Sequence, residues 1–271
     1  MPAALADPTF RQLRNFIYEK CGIFISDSKK YFIENRLSRR LQVNGLSHFE
    51  DYLQMIQFNA NGKELGHLFD AITTNETFFF RESQQTDLFI DVIVPRIIEQ
   101  SGKKEVKVWS AACSTGEEPY TIAMLLREKM GAVRTEITAS DISQGVIESA
   151  KRGVYNSYSI RNVPDAYLKK YFTANGQAFE LSPAIKSMVS FQQANLTDEK
   201  RIRSMAGKDV IFCRNVLIYF DDKAKQKVVS LLYDSLKPKG YLFTGASESL
   251  HSITRAFRPA AINKVIVYQK V

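Results

Sequence analysis

Three cysteines, three histidines and one tryptophan are all that the 271 residues contain of these types. Cys21, Cys113 and Cys213 stand apart, with no CxxC spacing and no even number to pair, which excludes a disulfide framework. A reducing compartment would keep such thiols free. His48, His67 and His251 are scattered, without a spacing such as HExxH, so no metal is expected. No apolar run approaches the ~20 residues of a membrane span, and no membrane insertion is expected. The opening MPAALADPTF lacks the basic start and apolar stretch of a secretion signal, so the expected location is cytoplasmic. Apolar content is not among the shortages. At 45% hydrophobic and 24% charged, the chain has enough apolar side chain to offset chain entropy, which excludes disorder as its main state.

What is present begins with positive charge: 37 Lys+Arg against 29 Asp+Glu, a net +8. It is concentrated. Residues 11–41 hold eight basic and three acidic side chains, residues 200–271 hold fourteen against five, and the remainder is net acidic. A basic surface suits nucleic acid, an acidic membrane face or an acidic protein, and charge alone does not choose among them.

Residues 7 to about 72 predict four short helices. Asp7 is read as capping the first, with Pro8 in its first turn and Phe10, Leu13 and Ile17 on one face. Asp27 is read as the cap of a second, carrying Ile33, Leu37 and Leu41, and Ser47-x-x-Glu50 as a capping box for the third. Leu65, Leu68, Phe69 and Ile72 mark the fourth. An amphipathic stretch over about 84–100, interrupted at Pro95, leads onward.

From Val106 strands and helices alternate, which implies a parallel sheet covered by helices on both faces. The last two expected strands, Phe257–Ile262 and Val265–Gln269, have too short a link for anything but an antiparallel hairpin. One reversed strand in a parallel sheet is the shape of the methyltransferase variant of the Rossmann sheet. Tyr155–Ser187 breaks the alternation, and Asn175-Gly176 between strand-like runs signals a small antiparallel insertion. The expected fold class is therefore α/β: a Rossmann-like methyltransferase sheet, a small all-helical N-terminal domain and an inserted β-subdomain. The expected boundaries are 1–83 and 84–271, with the insertion over about 155–190.

The first strand runs into Trp109-Ser-Ala-Ala-Cys-Ser-Thr-Gly-Glu-Glu-Pro119, the position of a nucleotide loop. It lacks G-x-G-x-x-G, having small Ala112, Ser114 and Gly116 in the turn and acidic Glu117 and Glu118 at the helix start. Carboxylates there would repel a pyrophosphate and suit a cation, such as the amino group of S-adenosylmethionine (SAM). Asp141 ends the second strand, 25 residues beyond Gly116, where an acid accepts ribose hydroxyls; a helix cap is the competing reading. Arg214, Asn215 and Tyr219 follow a later strand, at the sheet edge where ligands bind. Asn75, Thr77 and Arg81 flank three consecutive phenylalanines ahead of the sheet.

Asn75-Glu-Thr-Phe-Phe-Phe-Arg-Glu82, Trp109–Tyr120, Ala139-Ser-Asp-Ile142, Cys213-Arg-Asn-Val-Leu-Ile-Tyr-Phe220 and Gly245-Ala-Ser-Glu248 together resemble the CheR family. These are chemotaxis receptor methyltransferases, which use SAM to esterify receptor glutamates. The resemblance runs in order from about Phe10 to the C-terminus. It implies SAM contacts at Asn75, Thr77, Arg81, Glu117, Asp141, Asn195, Leu196, Arg214 and Asn215, with Glu118 as the alternative to Glu117. It implies that Arg81 and Tyr219 act at the methyl-transfer site. The implied product is S-adenosylhomocysteine, and the implied partners are chemoreceptor cytoplasmic domains met by a monomer.

The residue types suit that chemistry. A glutamate carboxylate, with a reference pKa near ~4.3, is ionised at neutral pH and needs no general base. Arg81 and Tyr219 would orient it for in-line transfer. Lys29, Arg36 and Arg40, spaced by seven and four, predict a basic stripe on the second helix that would bind acidic receptor helices. A nucleic-acid methyltransferase is the rival, but Arg214-Asn-Val-Leu stands where amino-methylating enzymes carry Asn/Asp-Pro-Pro-aromatic. No nucleic acid partner is expected.

Overall fold

Apolar side chains at helical spacing near the N-terminus and at strand spacing thereafter produce two kinds of core. The computed structural model describes residues 4–58 and 62–271. Helices α1 (Asp7–Cys21), α2 (Lys30–Val43), α3 (Phe49–Phe58) and α4 (Lys63–Ile72) bury Leu13, Ile17, Ile33, Leu37, Tyr52 and Leu68 against one another. The three carboxylates read as caps all make tertiary contacts. Ala6 precedes α1, and Asp7 pairs with Lys30. Asp27 opens a 3-10 turn before α2 and pairs with Arg14, while Glu50 accepts from Thr9 Oγ1. Neither α1 nor the 3-10 turn has a side-chain cap, and Asp7 and Asp27 meet cations brought in by packing.

α5 (Ser83–Leu88) and α6 (Val94–Ser101) are joined by a π-helical turn, Phe89–Ile93, in which Val94 N–H reaches back to Phe89 O. The wider turn answers Pro95, which lacks a donor and would crowd the carbonyl one turn back.

The strands are β1 (Glu105–Ala111), β2 (Arg134–Asp141), β3 (Val154–Tyr155), β4 (Phe172–Asn175), β5 (Ala178–Leu181), β6 (Val189–Gln193), β7 (Lys208–Cys213), β8 (Leu236–Thr244), β9 (Phe257–Ile262) and β10 (Val265–Lys270). Seven of them form one sheet in the order β6-β2-β1-β7-β8-β10-β9, with β10 running against its neighbours. Alternation along the central strands divides the core: Val108, Val210 and Phe243 face one cluster, and Trp109, Ile211 and Leu242 the other. α7 (Glu117–Lys129) covers the first face, helix Asp222–Ser235 the second, and α8 (Gln144–Arg152) follows β2.

The insertion is a three-stranded antiparallel sheet, β3-β5-β4. Its hairpin turns one residue later than expected: Asn175 pairs with Ala178, so the loop is Gly176-Gln177, with Gly176 at φ +61°.

The helical domain is tied to the sheet near the strand ends. Ile23 bridges Phe220, Phe24 N–H donates to Tyr219 O at 2.8 Å, and Tyr18 Oη reaches the Asp221 carboxylate at 3.0 Å. Asp70 accepts from Ser143 Oγ at 2.7 Å. Among the described residues, no helix is long and apolar enough to cross a membrane.

Candidate functional site

The chain leaves β1 through three left-handed residues: Ala112 at φ +65°, Ser114 at +48° and Gly116 at +94°. Ala112 and Ser114 have the spacing of the first two glycines of a dinucleotide loop. Only Gly116 demands one, since a Cβ there would lie 2.9 Å from the Ala150 Cβ. Ala112 and Ser114 hold the conformation under strain, and their surroundings must enforce it. Asp141 is the main brace. From the end of β2 its Oδ2 accepts from Ser114 N–H at 2.9 Å and its Oδ1 from Ser143 N–H at 3.0 Å. Burial raises its pKa, and the two amides oppose that shift.

Above the loop lies a cavity of about 310 Å³ between the helical domain and the strand ends. Ten of the thirteen residues singled out in the sequence line it: Lys29, Asn75, Thr77, Arg81, Asp141, Asn195, Leu196, Arg214, Asn215 and Tyr219. They come from five separate stretches of chain.

Glu117, Arg36 and Arg40 do not line it. Glu117 is buried behind the loop, accepting from Thr115 Oγ1 at 2.7 Å and Ser159 Oγ at 3.1 Å, with its pKa raised by burial. Glu118 faces the cavity instead, accepting from Ser110 Oγ at 2.6 Å and from Arg214 Nη1 at 3.0 Å. Arg36 stacks on the Phe32 ring, 5.1 Å from its centroid. Arg40 makes a two-pronged pair with buried Glu64, at 2.8 and 2.6 Å, which Tyr52 Oη joins at 2.9 Å. The expected basic stripe therefore does not exist as one surface: Lys29 belongs to the turn before α2, and Arg40 is a structural cation inside the helical domain.

Arg214 is buried and anchored. Its Nη2 donates to Arg81 O at 2.8 Å and sits 3.0 Å from Glu82 Oε2, while its Nε has no partner among the described residues. Arg81 Nη1 donates to Glu76 O at 3.0 Å. Asn195 uses its amide to join the chain after β6 to α1, donating to Lys20 O at 2.7 Å. Cys21 and Cys113 also line the cavity, but burial pushes the Cys21 thiol up to about 12 and that of Cys113 well above its usual value. Neither is available as a thiolate nucleophile.

One residue quoted in the sequence without a role proves central. Glu248 is buried beneath the turn after β7, and its carboxylate accepts from the backbone amides of Asn215, Gly245 and Ile218. The available signal was a carboxylate three residues after a glycine at a strand end; its target on another loop was not legible.

The CheR methyltransferase all-alpha domain matches residues 8–73, and the CheR methyltransferase SAM binding domain matches residues 75–266. Chemotaxis protein methyltransferase 2 of Vibrio cholerae is 37% identical over 98% of this chain and 94% of its own length. The chemotaxis protein methyltransferase of Borreliella burgdorferi is 40% identical over 88% of this chain and 87% of its own. That of Escherichia coli is 37% identical over 94% and 88%. With an all-helical domain, a SAM-binding α/β sheet and relatives matched along nearly their whole length, the chain belongs to the CheR methyltransferase family and is a SAM-dependent methyltransferase.

Proposed function

We propose that this protein transfers the methyl group of SAM to glutamate side chains of chemoreceptor cytoplasmic helices, leaving methyl esters and S-adenosylhomocysteine. The observation that carries the reading is the meeting in one cavity of Asp141, the Glu118–Arg214 pair, Arg81 and Tyr219 beside thiols held protonated. The donor set fits SAM. Each Asp141 oxygen accepts one amide and keeps acceptor capacity for a ribose hydroxyl. Glu118 and Arg214 complement an ammonium and a carboxylate, and the partnerless Arg214 Nε is a buried donor still to be satisfied. Leu196 and Ile142 offer an apolar wall for a base.

Bound SAM would supply a methyl carbon made electrophilic by a sulfonium. The protein's part is placement. Arg81 and Tyr219 orient the acceptor carboxylate, and no side chain has to remove a proton, because that carboxylate is already ionised. A tight guanidinium pair would damp its nucleophilicity, so orientation rather than activation is assigned to Arg81. Receptors as partners, the monomeric state and a cytoplasmic location belong to the same proposal.

The test is incubation with methyl-labelled SAM and receptor cytoplasmic fragments. Label should be released as methanol in mild base, as esters require. Base-stable label, or label in added nucleic acid, overturns the assignment.

A further inference from the structure

The Gly245-Ala-Ser-Glu248 segment lies outside the cavity that the proposed chemistry uses, yet it grips the turn that serves that cavity. Glu248 Oε2 accepts from Asn215 N–H at 2.8 Å and from Gly245 N–H at 2.7 Å, and Oε1 accepts from Ile218 N–H at 3.2 Å. The residue is itself pinned, its N–H donating to Gly245 O at 2.8 Å and its O accepting from Thr244 Oγ1 at 2.7 Å. A rigid loop after β8 thus presents one carboxylate to three amides.

The turn's own bonds, Tyr219 N–H to Val216 O and Phe220 N–H to Leu217 O at 3.1 Å each, leave the amides of Asn215 and Ile218 to Glu248. Asn215 is left-handed at φ +56°, and a short 3-10 turn, Leu217–Tyr219, follows at once. Arg214, Asn215 and Tyr219 line the cavity from this turn, and Ile218, whose amide Glu248 accepts, directly precedes Tyr219. There is no room for variation at the base. A Cβ on Gly245 would lie 2.7 Å from Glu248 Oε2 and 2.9 Å from Asn215 Nδ2.

We propose that Glu248 is a positioning residue for methyl transfer, fixing from behind the cavity the turn that sets the Tyr219 hydroxyl. The inference rests on the role given to Tyr219 above. A carboxylate is needed because only oxygen acceptors suit three converging amides; a glutamine would turn an N–H₂ toward one or two of them.

The experiment compares wild type, E248Q, Y219F and the double variant in the full chain, at a temperature where circular dichroism shows each folded. Ester formation on a receptor fragment gives kcat and KM, and calorimetry gives S-adenosylhomocysteine affinity. E248Q should lower kcat about 10- to 100-fold, the scale of a misplaced orienting group, while receptor KM moves by about threefold or less. In the Y219F background the same substitution should cost about threefold or less, because the group it positions is already gone. A loss of folded protein alone does not produce that dependence. An undiminished kcat in folded E248Q, or an equal loss with and without the Tyr219 hydroxyl, overturns the proposal. If E248Q does not fold, G245A strains the same contact and carries the same two criteria. The two readings fail differently: wild type that makes no ester refutes the function, whereas normal ester formation by folded E248Q refutes only the positioning role.

Discussion

Asp141 performs two tasks with one carboxylate, bracing the strained loop through Ser114 and Ser143 while facing the cavity. Asp141→Ala is therefore expected to weaken SAM and S-adenosylhomocysteine by about 1–3 kcal/mol, the usual loss for a buried charged hydrogen bond. Calorimetry checks this, and unchanged affinity in the folded variant removes Asp141 from the ribose site. Tyr219 is partly exposed at the cavity and receives an interdomain hydrogen bond through its backbone carbonyl, which Tyr219→Phe preserves. That substitution should lower turnover more than cofactor affinity. A parallel drop in both means that the hydroxyl contacts the cofactor rather than the acceptor.

At the scale of elements, charge is used to hold packing together. Lys208 is buried on β7, and its Nζ donates to Glu136 at 2.9 Å and to Thr138 Oγ1 at 2.8 Å on β2. Hydrogen bonds from Lys208 and Lys107 pull the Glu136 pKa from 4.5 to about 2. A carboxyl with a lowered folded-state pKa contributes stability that is complete above its unfolded value and is lost as pH falls through the folded one. The contribution should thus disappear between about 4.5 and about 2. Because Glu136 is half exposed, Glu136→Gln should cost only about 1–2 kcal/mol near neutrality. The gap in melting temperature from wild type should close toward pH 2, and a gap that persists there assigns the effect to packing instead. In the helical domain the Arg40–Glu64–Tyr52 cluster is the equivalent device. Arg40→Ala leaves the buried Glu64 carboxylate without its cation and should destabilise the fold by about 3 kcal/mol, read as a lower melting temperature. Arg36→Ala, on the exposed face, should change stability by about 0.5 kcal/mol or less.

For the whole molecule, Arg40 is consumed by Glu64 while Arg36 stays on the exposed face of α2. If receptor helices are the substrate proposed above and are acidic, the net charge of +8 and the exposed Arg36 and Arg39 would favour encounter with them, an attraction that acts on association rate and fades with salt. Arg36→Glu should raise receptor KM at low ionic strength and flatten its salt dependence, with S-adenosylhomocysteine affinity unchanged. If KM at low salt does not move, Arg36 is a solvated surface charge.

Most of the architecture was legible because it follows from periodicity. The short link between Phe257–Ile262 and Val265–Lys270 forces a reversed strand, and the strand-loop-helix rhythm puts Asp141 and Arg214 at strand ends. Ala112, Ser114 and Gly116 were marked as a tight turn by their small side chains, and all three are left-handed. Carboxylate partners were not legible. Asp7, Asp27 and Glu50 looked like local caps, and each instead meets a residue distant in sequence; Glu117 and Glu118 are adjacent, and only the orientation of α7 decides which faces the cavity. Nor could spacing reveal that Arg40 is consumed by Glu64 or that Glu248 holds the turn after β7. Backbone conformation is fixed by near neighbours, so the sequence by itself determined the elements, their order and the family. A charged side chain takes the strongest partner within reach, and what lies within reach was decided only by tertiary packing, of helix on helix in the N-terminal domain and of loop on loop at the strand ends.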